Sequence, residues 1–253
     1  MLDVKNYEII LVDSSDKMDN FIEFLNKLKK IKFISIDFEY TKNNIQLWQI
    51  CFYIKNNNKI YVIQEKYIIK EYMEIIKNKL LLSDIIKIFS GAESLDFPYL
   101  FGILKNPEVI YKFLKNTFDV RFLCEYYQNL HDIKKKCNVY DSMLYFEAIH
   151  KEIYDKLQKI NKEIGDIWKV NWNNIGKDKN LLIYTIYDVI YLKKLLLKQY
   201  KKYKKENLEE DFYNLQKANI YVLLKRFNIN YDYKLNLKDY EKFRVIDYFK
   251  KIL

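Results

Sequence analysis

Two acidic residues, Asp37 and Glu39, lie two positions apart in a run whose apolar and polar residues alternate as in a β-strand. Because successive side chains of a strand point to opposite faces, both carboxylates lie on one face, about 7 Å apart. Ile36 and Phe38 take the other face, which the pattern predicts to be packed. Neighbouring carboxylates repel each other unless a cation lies between them, and hard divalent cations prefer oxygen ligands. The pair therefore predicts a metal site, with a water-exposed charge pair at a sheet edge as the alternative.

A tyrosine and an aspartate, Tyr184 and Asp188, lie four positions apart in a segment with helical periodicity. This spacing puts the phenol and the carboxylate on one helix face, one turn apart. A further acid, Asp96, follows the small residues Ser90-Gly91-Ala92, which predict a sharp turn from a strand into a helix. We expect Asp96 to lie one to two turns into that helix, with its carboxylate directed toward the ends of the strands. A solvated helix surface is the ordinary alternative for such an acid.

Hydrophobic periodicity predicts a sheet at the start of the chain and mostly helices after it. Short turns rich in Asn and Lys separate the central strands, which is typical of an antiparallel meander. The sequence Asp13-Ser14-Ser15-Asp16 predicts the N-cap of a first helix. The predicted strands are Tyr7 to Val12, Phe33 to Glu39, Ile45 to Ile54, Lys59 to Gln64 and Ile85 to Phe89, and the later predicted helices include Tyr67 to Leu81 and Lys179 to Lys205.

These elements predict an α/β fold with a mixed sheet flanked by helices and a C-terminal helical appendage. We predict a main domain over residues 1–205 and a small helical appendage over residues 206–253. The charged stretch Lys201 to Glu210 marks the boundary, and apolar residues beyond it, including Leu215, Phe243 and Phe249, recur with helical spacing. We expect the appendage to pack on the main domain.

The chain of 253 residues is basic, with a net charge of +10 that is carried mostly by lysine. The positive electrostatic field of such a protein attracts polyanions and increases the rate at which they reach it. Arginine, the residue that most often makes bidentate contacts to guanine, occurs only at positions 121, 226 and 244. The expected partner is therefore nucleic acid, bound largely without sequence preference. An AT-rich genome, which favours codons for Lys, Asn, Ile and Tyr, is an alternative origin of part of the charge.

The cellular compartment is predicted from features that the sequence lacks. No apolar run reaches the roughly 18 residues of a membrane helix, and Met1 to Val12 lacks the pattern of a secretory signal. The three cysteines, Cys51, Cys124 and Cys137, show no metal-binding spacing. We therefore expect a soluble intracellular protein of the cytoplasm or nucleus, with reduced thiols and no membrane contact.

Taken in order, five segments resemble the DEDD superfamily of 3′-5′ exonucleases. The last segment resembles the tyrosine branch, with its ribonuclease D-like and Werner-like exonucleases, because the histidine branch would place His where this chain has Ile183. The resemblance extends over roughly residues 5 to 200. The matching segments are Asp37-Phe38-Glu39, Leu47-Trp48-Gln49-Ile50, Lys87 to Asp96, Phe118-Asp119 and Tyr184-x-x-x-Asp188-Val189-x-Tyr191-Leu192.

The resemblance implies a ribonuclease H-like fold and hydrolysis of a terminal phosphodiester with two divalent ions, Mg²⁺ or Mn²⁺, about 4 Å apart. It implies that Asp37 bridges both ions and that Glu39 and Asp188 complete the ion that activates water. Asp96 then helps to hold the second ion, and Tyr184 orients the attacking water. The products implied are nucleoside 5′-monophosphates released from the 3′ end.

Around these motifs we expect Phe38, Tyr40 and Gln49 to contact the substrate, with the two aromatic rings near the terminal base. The sequence departs from the family pattern in two ways. Ser90 stands where many relatives have His, and the segment between Asp119 and Tyr184 is longer and richer in lysine than in compact members. Neither departure removes a predicted metal-binding carboxylate.

Two alternatives to an active exonuclease remain open. The first is a catalytically silent nucleic-acid-binding or scaffold protein on the same fold, although such members usually lose acidic ligands and here all four are present. The second is an unrelated α/β protein whose acids coincide by chance, in which Asp37 would bind no metal. The sequence does not decide whether the substrate is DNA or RNA or whether it is single-stranded or double-stranded, and it does not give the oligomeric state.

Overall fold

The computed structural model describes residues 6–42, 44–55 and 57–232. The chain forms two compact units, each made of two segments. The sheet unit contains Met1–Phe89 and Ile149–Lys193, and the helical unit contains Ser90–Ala148 and Lys194–Leu253. A mixed sheet with helices confirms the predicted α/β class. The boundary after residue 205 between a main domain and an appendage stays a prediction.

The strands are β1 Tyr7–Val12, β2 Phe33–Thr41, β3 Asn44–Phe52, β4 Asn58–Gln64, β5 Ile86–Phe89 and β6 Thr117–Asp119. The first five belong to the sheet unit and lie in the order β1-β4-β3-β2-β5. The antiparallel pairs β2 with β3 and β3 with β4 confirm the predicted meander. β1 pairs with β4 and β5 pairs with β2, both in parallel. β2 therefore lies inside the sheet with a strand on each side.

The α-helices are α1 Ser15–Lys27, α2 Lys70–Ile76, α3 Asp96–Leu104, α4 Pro107–Lys115, α5 Val120–Leu130, α6 Val139–Tyr145, α7 Lys151–Ile164, α8 Lys179–Ile190, α9 Leu192–Lys205 and α10 Glu209–Arg226. Short 3-10 helices cover Glu65–Tyr67, Ile167–Lys169 and Trp172–Asn174. The helix predicted from Tyr67 to Leu81 is present only in part, because α2 begins at Lys70 and passes into a π-helical turn, Lys77–Leu81.

Helix α1 forms where the N-cap sequence predicts it. The Ser14 hydroxyl accepts a hydrogen bond from the Lys17 N–H, which satisfies a donor at the helix start. The apolar face of the helix is buried, and the Phe21 ring lies 4.7 Å from the Tyr61 ring of β4. The buried residues of α1 are Met18, Phe21, Ile22 and Leu25. The sheet thus gains its apolar cover from a pattern that the sequence shows directly.

The long helix predicted from Lys179 to Lys205 is wrong, because α8 ends at Ile190 and α9 begins at Leu192. In a continuous helix the Lys193 N–H would bond to the Val189 carbonyl. Here Val189 O accepts from Ser35 Oγ at 2.6 Å and from Tyr53 OH at 2.8 Å. The Lys193 N–H donates to Tyr53 OH instead, at 3.2 Å. A phenol is inserted into the helical hydrogen-bond ladder, which is a recognised cause of a helix break.

The expectation of reduced thiols is wrong for two of the three cysteines. Cys124 of α5 and Cys137 form a disulfide within the helical unit, while Cys51 of β3 is a free, buried thiol. The sequence could not reveal this pair, because the two cysteines are 13 positions apart and meet only when α5 packs against the segment that follows it. Burial raises the pKa of the Cys51 thiol to about 12, so this thiol stays protonated.

The helix predicted after residue 206 is present as α10, and it packs within the helical unit on α4 and α5. The Phe227 ring at its end lies 5.5 Å from the Phe101 ring of α3. The predicted apolar positions Phe243 and Phe249 lie outside the described residues. In the part of the chain that the structure describes, no helix has the length and apolar character that a membrane crossing requires.

Candidate metal centre

Three carboxylates converge in the sheet unit. Asp37 and Glu39 come from β2 and Asp188 comes from α8, and one carboxylate oxygen of each lies within 4.8 Å of the others. Glu39 and Asp188 are buried, and Asp37 is partly exposed. We call these three residues the acidic cluster. The structure thus brings together three of the four acids that the sequence predicts as metal ligands.

Strand pairing explains why Asp37 and Glu39 point to the same place. β5 pairs with β2 only up to Ser35, and β3 pairs with it through Asp37 and Glu39, so hydrogen bonds to β3 fix the backbone at both acids. The register with β3 is irregular between Glu39 and Tyr40. Such an irregularity ends regular pairing and re-aims side chains, and it is common beside active sites.

Helix α8 is held against β2 at the residue that follows Asp188. The Val189 carbonyl accepts from Ser35 of β2 and from Tyr53, the two contacts that also end the helix. Ser35 lies two positions before Asp37, hence on the same face of β2. These hydroxyls therefore fix where Asp188 meets the strand acids. Sequence reasoning missed both of them, although the alternation in β2 already put Ser35 on the acidic face.

Gln49 of β3 adds a fixed polar contact to the acidic cluster. It is fully buried, and its Nε2 donates to Glu39 Oε1 at 3.1 Å. Its Oε1 is also buried and has no hydrogen-bond partner among the described residues. Gln49 thus orients Glu39 and leaves one more oxygen acceptor beside the carboxylates. The predicted contact of Gln49 with substrate stays a prediction.

The electrostatics of the site follow from burial. Burial raises the pKa of Asp37 to about 7, because the charged carboxylate loses hydration. Burial also raises the pKa of Tyr184, and the negative charges of Asp188, Glu39 and Asp37 raise it further. Tyr184 is therefore a neutral phenol at physiological pH, able to donate a hydrogen bond and unsuited to act as a base.

The donor set of the acidic cluster fits a hard divalent cation. All three side chains offer carboxylate oxygens, the ligand type of Mg²⁺ and Mn²⁺, and the cluster contains no thiolate or imidazole. Three neighbouring anions in a mostly buried site need a positive charge among them. The unpartnered Gln49 oxygen suits a hydrated ion. The residues present therefore fit the metal that the sequence predicts.

Asp96 lies in the helical unit as the first residue of α3, and it is buried. The expectation that it lies one to two turns into a helix is wrong, because residues 90–95 form turns. Gly91 takes a positive φ of 74°, and the Asp119 carboxylate accepts from the N–H groups of Gly91 and Ala92 at 2.9 and 3.0 Å. These hydrogen bonds stabilise the turn before α3, so that the helix begins only at Asp96. The predicted metal-binding role of Asp96 stays a prediction.

Of the two aromatic residues beside the acids, Phe38 lies on the packed face of β2, as the alternation predicts, and Tyr40 follows the irregular register. Phe38 is buried against Trp48, with the ring centroids 4.8 Å apart. Tyr40 is buried too, and its backbone carbonyl accepts from Trp172 Nε1 at 3.4 Å. Their predicted contact with a terminal base stays a prediction. Trp172 is a neighbour that sequence reasoning did not assign to the site, and its ring lies 6.4 Å from that of Tyr184.

The fold of the chain is similar to that of solved exonuclease domains. The catalytic core of RRP6 from Trypanosoma brucei superposes with a TM-score of 0.56 at 19% identity, over 87% of this chain and 54% of that chain. The EXO domain of Aedes aegypti Nibbler gives 0.56 at 14% identity, over 82% and 95% of the two chains. The Trypanosoma brucei RNase D complex with RNA U12 gives 0.52 at 14% identity, over 78% and 63%.

No protein-family model matches the chain. Among curated proteins, the uncharacterized protein L533 of Acanthamoeba polyphaga mimivirus is 31% identical over 206 residues. The match covers 76% of this chain and 40% of that protein. The chain thus spans less than half the length of the curated relative that it matches.

Proposed function

We propose that the chain is a metal-dependent 3′-5′ exonuclease of the tyrosine branch of the DEDD superfamily, which hydrolyses terminal phosphodiesters of DNA or RNA. The observation that carries the proposal is the convergence of Asp37, Glu39 and Asp188, with Tyr184 surrounded by their charges. The fold shared with solved exonuclease domains supports it. The motif resemblance supplies the direction of cleavage and the tyrosine branch.

The acidic cluster would hold two divalent ions, Mg²⁺ or Mn²⁺, which supply a nucleophilic water at neutral pH and neutralise charge on the phosphate. The chain's own part is to fix the ligands. Gln49 orients Glu39, and Ser35 and Tyr53 hold the end of α8 that carries Asp188. The proposal for Asp96 as a fourth ligand rests on the motif resemblance alone.

Tyr184 would orient the attacking water through its hydroxyl. Because burial and three neighbouring charges keep the phenol protonated, it can donate its hydrogen to an oxygen in the site. It cannot accept a proton as a general base at neutral pH. The role proposed for Tyr184 is therefore positioning of the water and not proton abstraction.

The proposed substrate is a nucleic-acid strand with a 3′ end, bound through its backbone with little sequence preference. The net charge of +10 supports a polyanion as partner. A structural neighbour, the RNase D of Trypanosoma brucei, was solved with RNA U12.

The test compares the wild type, Asp37→Asn and a matched control, Asp155→Asn, which changes an exposed aspartate of α7 in the same unit. Each protein is incubated with strands of DNA and RNA, labelled at the 5′ or the 3′ end, in Mg²⁺, Mn²⁺ or EDTA. We expect stepwise shortening from the 3′ end by the wild type and Asp155→Asn, in metal only. Shortening by Asp37→Asn at the wild-type rate would contradict the proposal.

The same experiment decides the alternative of a catalytically silent nucleic-acid-binding or scaffold protein. Such a protein would bind the labelled strands in every metal without shortening them. All four predicted acids and Tyr184 are present in the chain, which favours the active enzyme.

A further inference from the structure

A small cleft opens in the sheet unit beside the strand pair that carries the acidic cluster. Its walls come from the start of β3, the end of β4 and the 3-10 helix Trp172–Asn174. Leu47, which lines the cleft, is the pairing partner of Glu39 across β2 and β3. The cleft holds about 150 Å³. This space is well above the roughly 10–15 Å³ that a single water molecule requires, so the cleft has room for a ligand of several heavy atoms.

The end of β4 supplies an amide that has no hydrogen-bond partner in the described part of the chain. The Gln64 side chain lines the cleft and is 7% exposed. It makes no hydrogen bond to any residue in the ranges that the structure describes. Because the Gln64 side chain lines an open cleft and has no hydrogen-bond partner among the described residues there, its amide is available to a ligand in the cleft. An amide offers that ligand one acceptor and two donors.

Glu65 and Lys66 follow Gln64 and give the cleft an acidic group in its lining and a basic group at its rim. The Glu65 carboxyl lines the cleft, and burial raises its pKa. A carboxyl beside an amide acceptor suits a ligand that donates hydrogen bonds and disfavours a phosphate inside the cleft. Lys66 is exposed, and its ammonium donates to Asn173 Oδ1 at 3.1 Å. Lys66 thus provides a positive charge at the rim, where a phosphate can reach it.

Trp172 connects the cleft to the proposed active site. Its ring lines the cleft, and its Nε1 donates to the Tyr40 carbonyl, one residue beyond Glu39 in β2. The Tyr184 ring lies 6.4 Å away from it. A group held in the cleft is therefore a close neighbour of the residues proposed to do the chemistry.

We propose that this cleft is a nucleobase subsite that prefers bases with an exocyclic amino group over uracil and thymine. Gln pairs well with the adenine edge, and a Glu carboxylate accepts from the amino group of cytosine. Gln64 and Glu65 present both groups, and Lys66 holds a flanking phosphate. The inference deepens the proposed nuclease function and rests on it for the presence of a nucleic-acid strand.

The test measures binding without cleavage. Fluorescence anisotropy with 5′-labelled oligo(A), oligo(C) and oligo(U), in Ca²⁺ and again in EDTA, gives the affinities of the wild type, Gln64→Met and Gln158→Met. Met is apolar and close to Gln in volume, and Gln158 lies on α7, where the same substitution serves as the matched control. Thermal melting of the three proteins verifies that each is folded.

We expect the wild type and Gln158→Met to bind oligo(A) and oligo(C) about 5- to 10-fold more tightly than oligo(U). Gln64→Met should lose most of this preference by weakening the binding of oligo(A) and oligo(C), with oligo(U) unchanged. Lys66→Ala should weaken all strands alike and reduce the slope of log affinity against log salt by about one. The two variants thus separate base recognition from phosphate attraction.

The proposal is overturned if the wild type shows no preference, if Gln64→Met keeps it, or if no strand binds. Its failure differs from failure of the nuclease. Strands bound with a Gln64-dependent preference and never shortened in Mg²⁺ or Mn²⁺ would uphold the subsite and refute the exonuclease. Strands shortened without any preference among bases, by the wild type and by Gln64→Met alike, would uphold the exonuclease and refute the subsite.

Discussion

Two carboxylate sites, one in each unit, place the same chemical group in contrasting surroundings. In the sheet unit, Asp37 has Glu39 and Asp188 as neighbours, so its surroundings are negative. In the helical unit, Asp119 accepts hydrogen bonds from the N–H groups of Gly91, Ala92 and Arg121. Burial raises the pKa of both acids, and these backbone donors oppose the shift at Asp119.

The difference separates an acid that stabilises the fold from an acid that we propose as a metal ligand. A carboxylate whose oxygens are filled by backbone donors, as in Asp119, serves the fold and has no capacity left for an ion. A carboxylate whose nearest polar neighbours are other carboxylates stores repulsion that a cation relieves. Both acids lie in segments that resemble the exonuclease motifs, so the motifs alone do not separate the two roles.

The largest expected effect is on catalysis at the negative site. Asp37→Asn should lower the rate of strand shortening by about 1000-fold or more, because it removes a ligand from ions that contribute several kcal/mol. Single-turnover kinetics in Mn²⁺, with Asp155→Asn as control, measure it. If Asp37→Asn retains activity, Asp37 is a structural acid like Asp119 and the comparison breaks down.

The next effect concerns Tyr184, which faces the negative site without being a ligand. Tyr184→Phe should slow shortening by about 100-fold, as expected for loss of a group that positions a reacting water. Its affinity for Mn²⁺, measured by isothermal titration, should match the wild type. A parallel loss of metal affinity would contradict the positioning role.

A smaller effect is expected on stability at the hydrogen-bonded site. Asp119→Asn should destabilise the protein by about 2 kcal/mol, because an amide replaces a charged acceptor of several backbone donors. Denaturant unfolding in EDTA measures this change. Asp37→Asn in the same assay should not destabilise, and equal losses for the two variants would show that both acids are structural.

The smallest effect is a pH dependence of the metal-free protein. Burial raises the folded-state pKa of Asp37 from its ordinary value near 3.8 to about 7. The folded protein therefore binds the proton more tightly, and the stabilisation from protonated Asp37 is present at low pH and is lost as the pH rises to 7. Relative to the wild type, Asp37→Asn should gain on the order of 1 kcal/mol above pH 7 and little below pH 4. Unfolding in EDTA across this range measures the gain, and parallel stability curves for the two proteins would contradict it.

The parts of the fold that the sequence predicts are those with short-range patterns. Alternation placed Asp37 and Glu39 on one face of β2, and a spacing of four placed Tyr184 and Asp188 on α8. The meander followed from strand length and turn residues. In each case the sequence pattern that predicts the structure extends over only a few residues. The tertiary contacts of the folded protein are compatible with that local pattern.

The features that the sequence did not predict depend on distant partners. The break at Tyr191 requires the Tyr53 phenol, and the late start of α3 requires Asp119. The disulfide forms only when folding of the helical unit brings Cys124 and Cys137 together. None of these partners leaves a periodic signal, and the apolar pattern from Lys179 to Lys205 is compatible with one unbroken helix.

The hydroxyl contacts at Val189 also determine when the acidic cluster can form during synthesis. Ser35 and Tyr53 precede Val189 by 154 and 136 positions. Because contacts of such separation form only after a large loop closes, Asp188 can join the two acids of β2 only after the segment that carries it has left the ribosome. Until then a nascent chain would carry Asp37 and Glu39 as an incomplete acidic cluster.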